Sequence, residues 1–112
     1  MIELILFDYL NYEASVPAYM MRPADLTEDS YFIIEKTGSQ RVNQIDTATV
    51  AIQSYAPTLY EAAVLNDEAK GLMLDAIKLD EISRVRLVSD YNFTNTASKQ
   101  PRYQAVFEVT YL

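Results

Sequence analysis

The chain has 112 residues, of which half are apolar and 22% are charged, and its formal net charge is −7. This size and composition predict a single folded domain over residues 1–112. The excess of carboxylates repels phosphate backbones and therefore disfavours sequence-specific nucleic-acid binding. Cys and His are absent, which excludes disulfides, thiolate and Ser-His-Asp nucleophiles, and the commonest metal ligands.

The apolar runs are short. The longest, such as residues 4–7, have four residues, against the ~20 that span a bilayer. Glu3 and Asp8 interrupt the first apolar stretch, and no basic residue precedes it, unlike a signal peptide. We therefore expect no membrane association, and we expect folding in the cytoplasm where the chain is made.

The first predicted element is a helix over residues 2–10 that fades by residues 11–15. Its apolar residues follow the i, i+3, i+4, i+7 spacing of an amphipathic helix: Ile2, Ile5, Leu6, Tyr9 and Leu10. A strand is predicted from Val16 to Met21. Pro17 has no N–H to donate, so it belongs at a strand start or a sheet edge.

Two longer strands follow. Tyr31–Thr37 begins with apolar residues on both faces, which predicts a strand covered from both sides. Residues 38–40, Gly-Ser-Gln, are predicted to form a turn. The third strand, Arg41–Tyr55, is expected to carry a bulge or a bend near Ile45 and Asp46, where the alternation breaks.

The clearest helix begins after Thr58. Residues 58–61, Thr-Leu-Tyr-Glu, match a capping box, in which the hydroxyl and the carboxylate each accept a bond from a free backbone N–H. Apolar residues then recur every three or four positions: Leu59, Ala62, Leu65, Ala69, Leu72, Ala76 and Leu79. Gly71 costs ~1 kcal/mol against Ala inside a helix, and we expect it to mark a close approach by a neighbouring element.

The last two strands are Ile82–Phe93 and Arg102–Leu112, and an exposed loop over residues 94–101 joins them. On the first strand, one face is predicted to hold Val85, Leu87, Tyr91 and Phe93, and the other Arg84, Arg86 and Asp90. On the second strand, the apolar residues are Tyr103, Ala105, Phe107, Val109 and Tyr111, and they alternate with polar ones.

The element order is therefore α-β-β-β-α-β-β. We predict an α+β domain with one antiparallel or mixed sheet and two helices packed on one face. The core combines the two periodicities: Leu65, Leu72, Ala76, Val50, Ile52, Phe107 and Val109. The opposite face of the sheet carries polar residues that suit water or a protein partner: Arg84, Arg86, Gln104, Glu108 and Thr110.

No group of residues suggests catalysis. Adjacent carboxylates such as Asp67 and Glu68 point apart on a helix or strand, so they form neither an acid–base couple nor a metal cage. A metal-dependent enzyme that uses carboxylates needs clustered oxygen ligands, and no such cluster is visible. We therefore expect no enzymatic activity, no catalytic residues, no cofactor and no metal.

Three stretches share their order and spacing with a known family. They are Phe32–Gly38 (Phe-Ile-Ile-Glu-Lys-Thr-Gly), Asp46–Ala63 with its Gln-Ser-Tyr-Ala and Glu-Ala-Ala, and Tyr91–Phe93 followed by Pro101–Gln104. Together they resemble the tail terminator, or tail-completion, proteins of long-tailed bacteriophages and prophages of Gram-positive bacteria. Tyr55 stands where the family often has Trp, and Ser39 where it often has a second Gly.

The resemblance implies assembly and no reaction. Such proteins are small α+β domains that close into a ring of six subunits, cap the finished tail tube and join it to the head–tail connector protein. The implied partners are other copies of the chain, the tail-tube protein and the connector. DNA would pass through the lumen, where an acidic lining keeps it from sticking. The implied location is the virion tail, assembled in the cytoplasm of the bacterial host.

A closed ring requires two different patches of each subunit to meet. The candidate assembly residues are mostly charged and lie in the predicted turn, the loop and the polar sheet face: Gly38, Arg41, Arg84, Arg86, Lys99, Arg102 and Glu108. Two alternatives remain open. A head-completion or neck protein of the same virion would bind the portal, and an acidic protein-binding module, such as an inhibitor that mimics DNA, would bind a basic partner.

Overall fold

Two helices and five strands follow one another in the predicted order in the computed structural model, which describes all of residues 1–112. Helix α1 (Ile2–Glu13) precedes strands β1 (Ala18–Tyr19), β2 (Tyr31–Val42) and β3 (Ile45–Tyr55). Helix α2 (Leu59–Asp75) continues into a 3-10 turn (Ala76–Lys78) and is followed by β4 (Ile82–Asn92) and β5 (Arg102–Tyr111). The predicted α+β class is confirmed.

The strands form one mixed sheet in the order β1-β2-β3-β5-β4. β1 runs parallel to β2, and the other neighbours are antiparallel. The predicted strand from Val16 to Met21 is reduced to two residues. The Asn11 side chain occupies the outer backbone groups of Ala18: it donates to the Ala18 carbonyl and accepts from the Ala18 N–H, each at 3.0 Å. These bonds satisfy the backbone groups at the edge of the sheet. Pro17 directly precedes this edge strand, which agrees with its predicted place at a strand start or an edge.

The core lies between the sheet and both helices, on one face of the sheet. Its buried residues form a single cluster to which α1 and α2 both contribute. On the strands, Val50, Phe107 and Val109 are fully buried at facing positions of β3 and β5. Burying one such side chain stabilises the fold by about 1.5–3 kcal/mol. All the predicted core residues are buried except Leu72, which is half-buried.

Helix α2 begins as predicted and buries four residues of its predicted apolar stripe, but Met73 is buried in place of Leu72. The Thr58 hydroxyl accepts a bond from the Glu61 N–H at 3.2 Å, which is half of the predicted capping box. The buried residues are Ala62, Leu65, Asn66, Ala69, Met73 and Ala76. The three alanines, seven residues apart, let the helix lie close to the sheet. Met73 is therefore buried, Leu72 and Leu79 lie at the margin, and Leu59 is exposed. The close approach predicted at Gly71 is wrong, because nothing lies within 4 Å of a Cβ placed there.

The β2–β3 hairpin turns later than predicted. Gly38–Gln40 are strand residues, and the turn is Asn43-Gln44, with φ angles of 52° and 65°. Two consecutive residues with positive φ make the tight turn that suits twisted antiparallel strands. Of the bulge or bend predicted near Ile45, the structure has the bend: the chain turns just before Ile45, where β3 begins. The bulge lies in β2, between Lys36 and Gly38.

Strand β4 carries two register shifts, between Ile82 and Arg84 and between Leu87 and Ser89. An extra residue in one strand moves every later side chain to the other face. Asp90 therefore points towards α2, where its carboxylate accepts bonds from Asn66 and Lys70 at 3.2 and 3.3 Å. Tyr91 lies on the opposite face, so the prediction that it shares a face with Val85 and Leu87 is wrong.

Candidate assembly interface

No helix covers the second face of the sheet, which we call the open face. Two cross-strand rows of the open face contain several of the candidate residues. In the first row, Glu108 of β5 lies between Arg86 of β4 and Thr49 of β3, and Thr49 lies opposite Gly38 of β2. The second row runs in the same way across the four strands: Arg84, Thr110, Thr47 and Gln40.

Between these rows lies a polar cleft with a volume of about 200 Å³. It is lined by polar side chains only: Gln40, Thr47, Arg84, Arg86, Glu108 and Thr110. The Arg86 Nε donates to Glu108 Oε1 at 2.9 Å, and Arg86 Nη2 contacts the same oxygen. The hydroxyls of Thr47 and Thr110 lie 3.2 Å apart. Because the Arg86–Glu108 pair is about half exposed, it stabilises the fold by only ~0.2–1 kcal/mol.

Arg84 lies beside this pair without a carboxylate of its own. It is exposed, and none of the ion pairs within the chain includes it. A guanidinium offers five N–H donors in a planar fork that matches a carboxylate. The cleft therefore holds one neutralised and one free guanidinium, and the free one is available to a carboxylate of a partner.

The remaining candidate residues do not converge on the cleft. Gly38 ends the first row but contributes no side chain, and nothing lies within 4 Å of a Cβ placed there. Arg41 lies near the hairpin turn on the other face, paired with Asp46. Lys99 is exposed in the loop over residues 94–101, and Arg102 follows that loop at the far end of β5.

A second set of polar residues lies on the open face. The sequence placed Gln104 there and Arg102 among the candidates, but it did not predict that they join Gln53, Tyr55 and Tyr91. The side-chain amide of Gln53 donates to Gln104 at 3.0 Å, and that of Gln104 donates to the Tyr91 hydroxyl at 2.5 Å. The Tyr55 hydroxyl donates to Gln53 at 3.1 Å and accepts from Arg102 at 2.7 Å. This amide–tyrosine network crosses β3, β5 and β4.

The amide–tyrosine network stabilises its half of the open face, because its buried amides need the bonds that they make with one another and with tyrosine. Gln53 and Gln104 are only 8% and 9% exposed, and a buried amide costs about 1–3 kcal/mol if it is left without a partner. Tyr31 covers the end of the network by stacking on Tyr55, with ring centroids 4.8 Å apart. Gln53 and Gln104, at polar positions of neighbouring strands, were the available signal. Tyr91 was assigned to the apolar face, and only the bulge in β4 brings it opposite Gln104.

Two further kinds of feature bear on function: a metal site and a membrane-spanning helix. Asp and Glu side chains nowhere gather in groups of three or more that could hold a metal ion. Neither helix combines the length and the apolar character needed to cross a membrane. In comparisons with known proteins, no protein-family model and no curated sequence matches the chain.

Proposed function

We propose that this protein is a tail terminator of a long-tailed bacteriophage or prophage. Copies of the chain assemble into a ring of six subunits that caps the end of the tail tube and then joins it to the head–tail connector. The observation that carries the proposal is the open face, a sheet surface without helices on which Arg84, Arg86 and Glu108 converge. The order of the three family-like stretches along the chain supports it.

The polar cleft suits an assembly contact better than a reaction site. It contains no nucleophile beside a base, and its lining is polar on every side. Charged residues on a flat surface determine which partner binds and in which register, more than how tightly it binds. The free guanidinium of Arg84 therefore provides specificity for a carboxylate on the tube or on a neighbouring subunit.

The net charge of −7 supports passage of DNA through the ring. A negative lining repels the phosphate backbone, so DNA slides along the wall without binding to it. A neck protein or an acidic inhibitor would share this charge, so the charge agrees with the proposal without separating it from those alternatives. The partner that binds the open face separates them.

Capping of tubes tests the proposal directly. The tail-tube protein encoded in the same genome is polymerised, mixed with this protein and viewed by electron microscopy. We expect tubes with a ring at one end. Replacing both Arg84 and Arg86 with Gln should lower the fraction of capped tubes about tenfold, because Arg84 no longer meets a carboxylate of the partner and Glu108 is left without its cation, each a change of ~1 kcal/mol or less.

Lys70→Gln is the matched control. Like Arg86, Lys70 is a partly exposed cation paired with carboxylates, but it lies on the helix side of the sheet, against Asp67 and Asp90. It should leave capping unchanged. If the wild-type protein binds portal or a basic enzyme and leaves tubes uncapped, the terminator function is wrong.

A further inference from the structure

A groove lies on the outer side of α1, with a volume of about 420 Å³. We call it the α1 groove. Its floor is apolar and is formed by Ile5, Tyr9, Tyr12 and Leu79. Tyr12 is 87% exposed, so its ring adds open apolar surface beside Ile5. The Tyr9 hydroxyl is anchored by donating to the Leu72 carbonyl at 2.7 Å, so the floor is firmly held.

The rim of the α1 groove is acidic. Asp8, Glu13 and Glu81 stand against the single cation Lys78. Lys78 is already shared between Glu13 and Asp75, at 3.4 and 3.1 Å. Asp8 and Glu81 enter no ion pair within the chain. An apolar floor with unpaired carboxylates on its rim fits a side chain that is aliphatic along its stem and positive at its tip.

The loop over residues 94–101 presents such a side chain. Residues 91–107 include Lys99 and Arg102 and no carboxylate, which is notable in a chain of net charge −7. Arg102 already donates within the subunit, to the Phe93 carbonyl and to the Tyr55 hydroxyl. Lys99 is exposed and enters no ion pair within the chain. The loop backbone is braced by a bond from the Lys99 N–H to the Asn95 carbonyl at 2.7 Å.

We propose that Lys99 of one copy docks in the α1 groove of the next copy. The inference rests on the proposed function, since it supplies one contact between neighbours in the ring. The lysine stem lies on Ile5 and Tyr12, as lysine stems do on apolar surfaces. Its ammonium group reaches Asp8 and Glu81 and also faces the Tyr12 ring, which attracts cations.

The α1 groove and the loop over residues 94–101 are the two contact patches, and their positions on the subunit suit a ring. Glu81 lies at the start of β4, where its carbonyl accepts from the Leu112 N–H at 2.9 Å. The loop over residues 94–101 lies at the other end of the same two strands, beyond the Asn92–Tyr103 pair. At ~3.3 Å per residue the two patches are about 30 Å apart. One copy can therefore contact two neighbours through two different surfaces, as a closed ring requires.

A charge swap tests the contact. Lys99→Glu and Glu81→Lys, each alone, should raise the protein concentration needed for half-maximal assembly about tenfold, because each reversal turns an attraction into a repulsion. The double variant K99E/E81K restores the attraction with its sign reversed and should assemble within about threefold of the wild type. Assembly is measured by analytical ultracentrifugation, with and without tail-tube protein, after circular dichroism has verified folding.

Arg22→Glu is the matched control, since Arg22 is also an exposed cation outside every ion pair; it should assemble like the wild type. If rings form and cap tubes while K99E and E81K behave like the wild type, the docking contact is wrong and the terminator function stands. If both single variants fail and the double variant also fails, Lys99 and Glu81 do not meet, and the contact is again wrong. If the wild type never self-associates, with or without tubes, both proposals are wrong.

Discussion

Arg41 and Asp46 close the end of the β2–β3 hairpin and illustrate how one ion pair depends on register. They face each other directly across the two strands. Arg41 Nε donates to Asp46 Oδ1 at 2.7 Å, and Nη2 donates to Oδ2 at 3.0 Å. The hydrogen bond from Arg41 holds the pKa of the Asp46 carboxyl below its usual value of 3.8. Because the pair is exposed, solvent and salt weaken its effect on stability.

The lowered pKa of Asp46 leads to a prediction on acid titration. The pair's contribution to stability is fully present above the usual pKa of 3.8 and is lost as the pH falls through the lower pKa of the folded state. A carboxyl titration by NMR should give Asp46 a midpoint below the usual value. In the Arg41→Gln variant the midpoint should rise towards it. Identical midpoints in the two proteins would show that Arg41 does not cause the shift.

At the scale of elements, α2 shows how a helix selects the face that it buries. Seven-residue spacing places Ala62, Ala69 and Ala76 on one line, and all three are fully buried or nearly so. Small residues on this line bring the helix axis towards the sheet, so larger side chains beside it fill the remaining space. Met73 is 0% exposed, while Leu72 lies at the margin, above Tyr9.

The difference between Met73 and Leu72 can be measured by truncation. Met73→Ala should lower the free energy of unfolding by about 2–5 kcal/mol, because it leaves a cavity in the core. Leu72→Ala removes a half-buried side chain of similar size and should cost clearly less. Urea denaturation of both variants gives the two values. A larger loss for Leu72→Ala would mean that Leu72, and not Met73, fills the core beside the three alanines, as the sequence pattern predicted.

At the scale of the whole molecule, the negative charge is spread unevenly. Several cations are neutralised by carboxylates of the same chain, as in the Lys36–Glu3, Lys70–Asp90 and Arg86–Glu108 pairs. The exposed cations outside every ion pair are Arg22, Arg84 and Lys99. Arg22 lines one pocket with Arg102 and with the loop residues on either side of Lys99, whereas Arg84 lies in the polar cleft. These few cations do not form the continuous basic stripe that follows a phosphate backbone, and the rest of the surface carries the excess of carboxylates.

This charge distribution predicts that the protein does not bind DNA. At about 0.15 M salt, addition of the protein to a fluorescently labelled DNA duplex should leave the anisotropy unchanged up to ~100 μM, the weak end of the range of ordinary non-specific binding. Saturable, salt-sensitive binding would contradict the proposal that DNA passes through the ring without binding to its wall. It would also contradict the inference that the acidic surface repels DNA.

Much of the fold and part of the candidate site could be predicted from local patterns. The element order, the Thr58 cap and the alternation along β5 depend on residues close in sequence, so periodicity alone determined them. The same alternation placed Arg84, Arg86 and Glu108 on one face, and the structure brings them together in the polar cleft. The sequence by itself also determined the charge of −7 and the absence of thiol and imidazole chemistry.

Tertiary structure decided the features that depend on which residues lie opposite each other. The β4 bulge at Val88 moves Asp90 towards α2 and Tyr91 to the open face, and a bulge forms only in relation to a partner strand. The turn at Asn43-Gln44 follows from the pairing of β2 with β3 over its full length. The burial of Met73 and the bond between Gln53 and Gln104 likewise require contacts between distant segments. Local periodicity holds no information on such contacts, because packing and pairing are settled only when the whole sheet has formed.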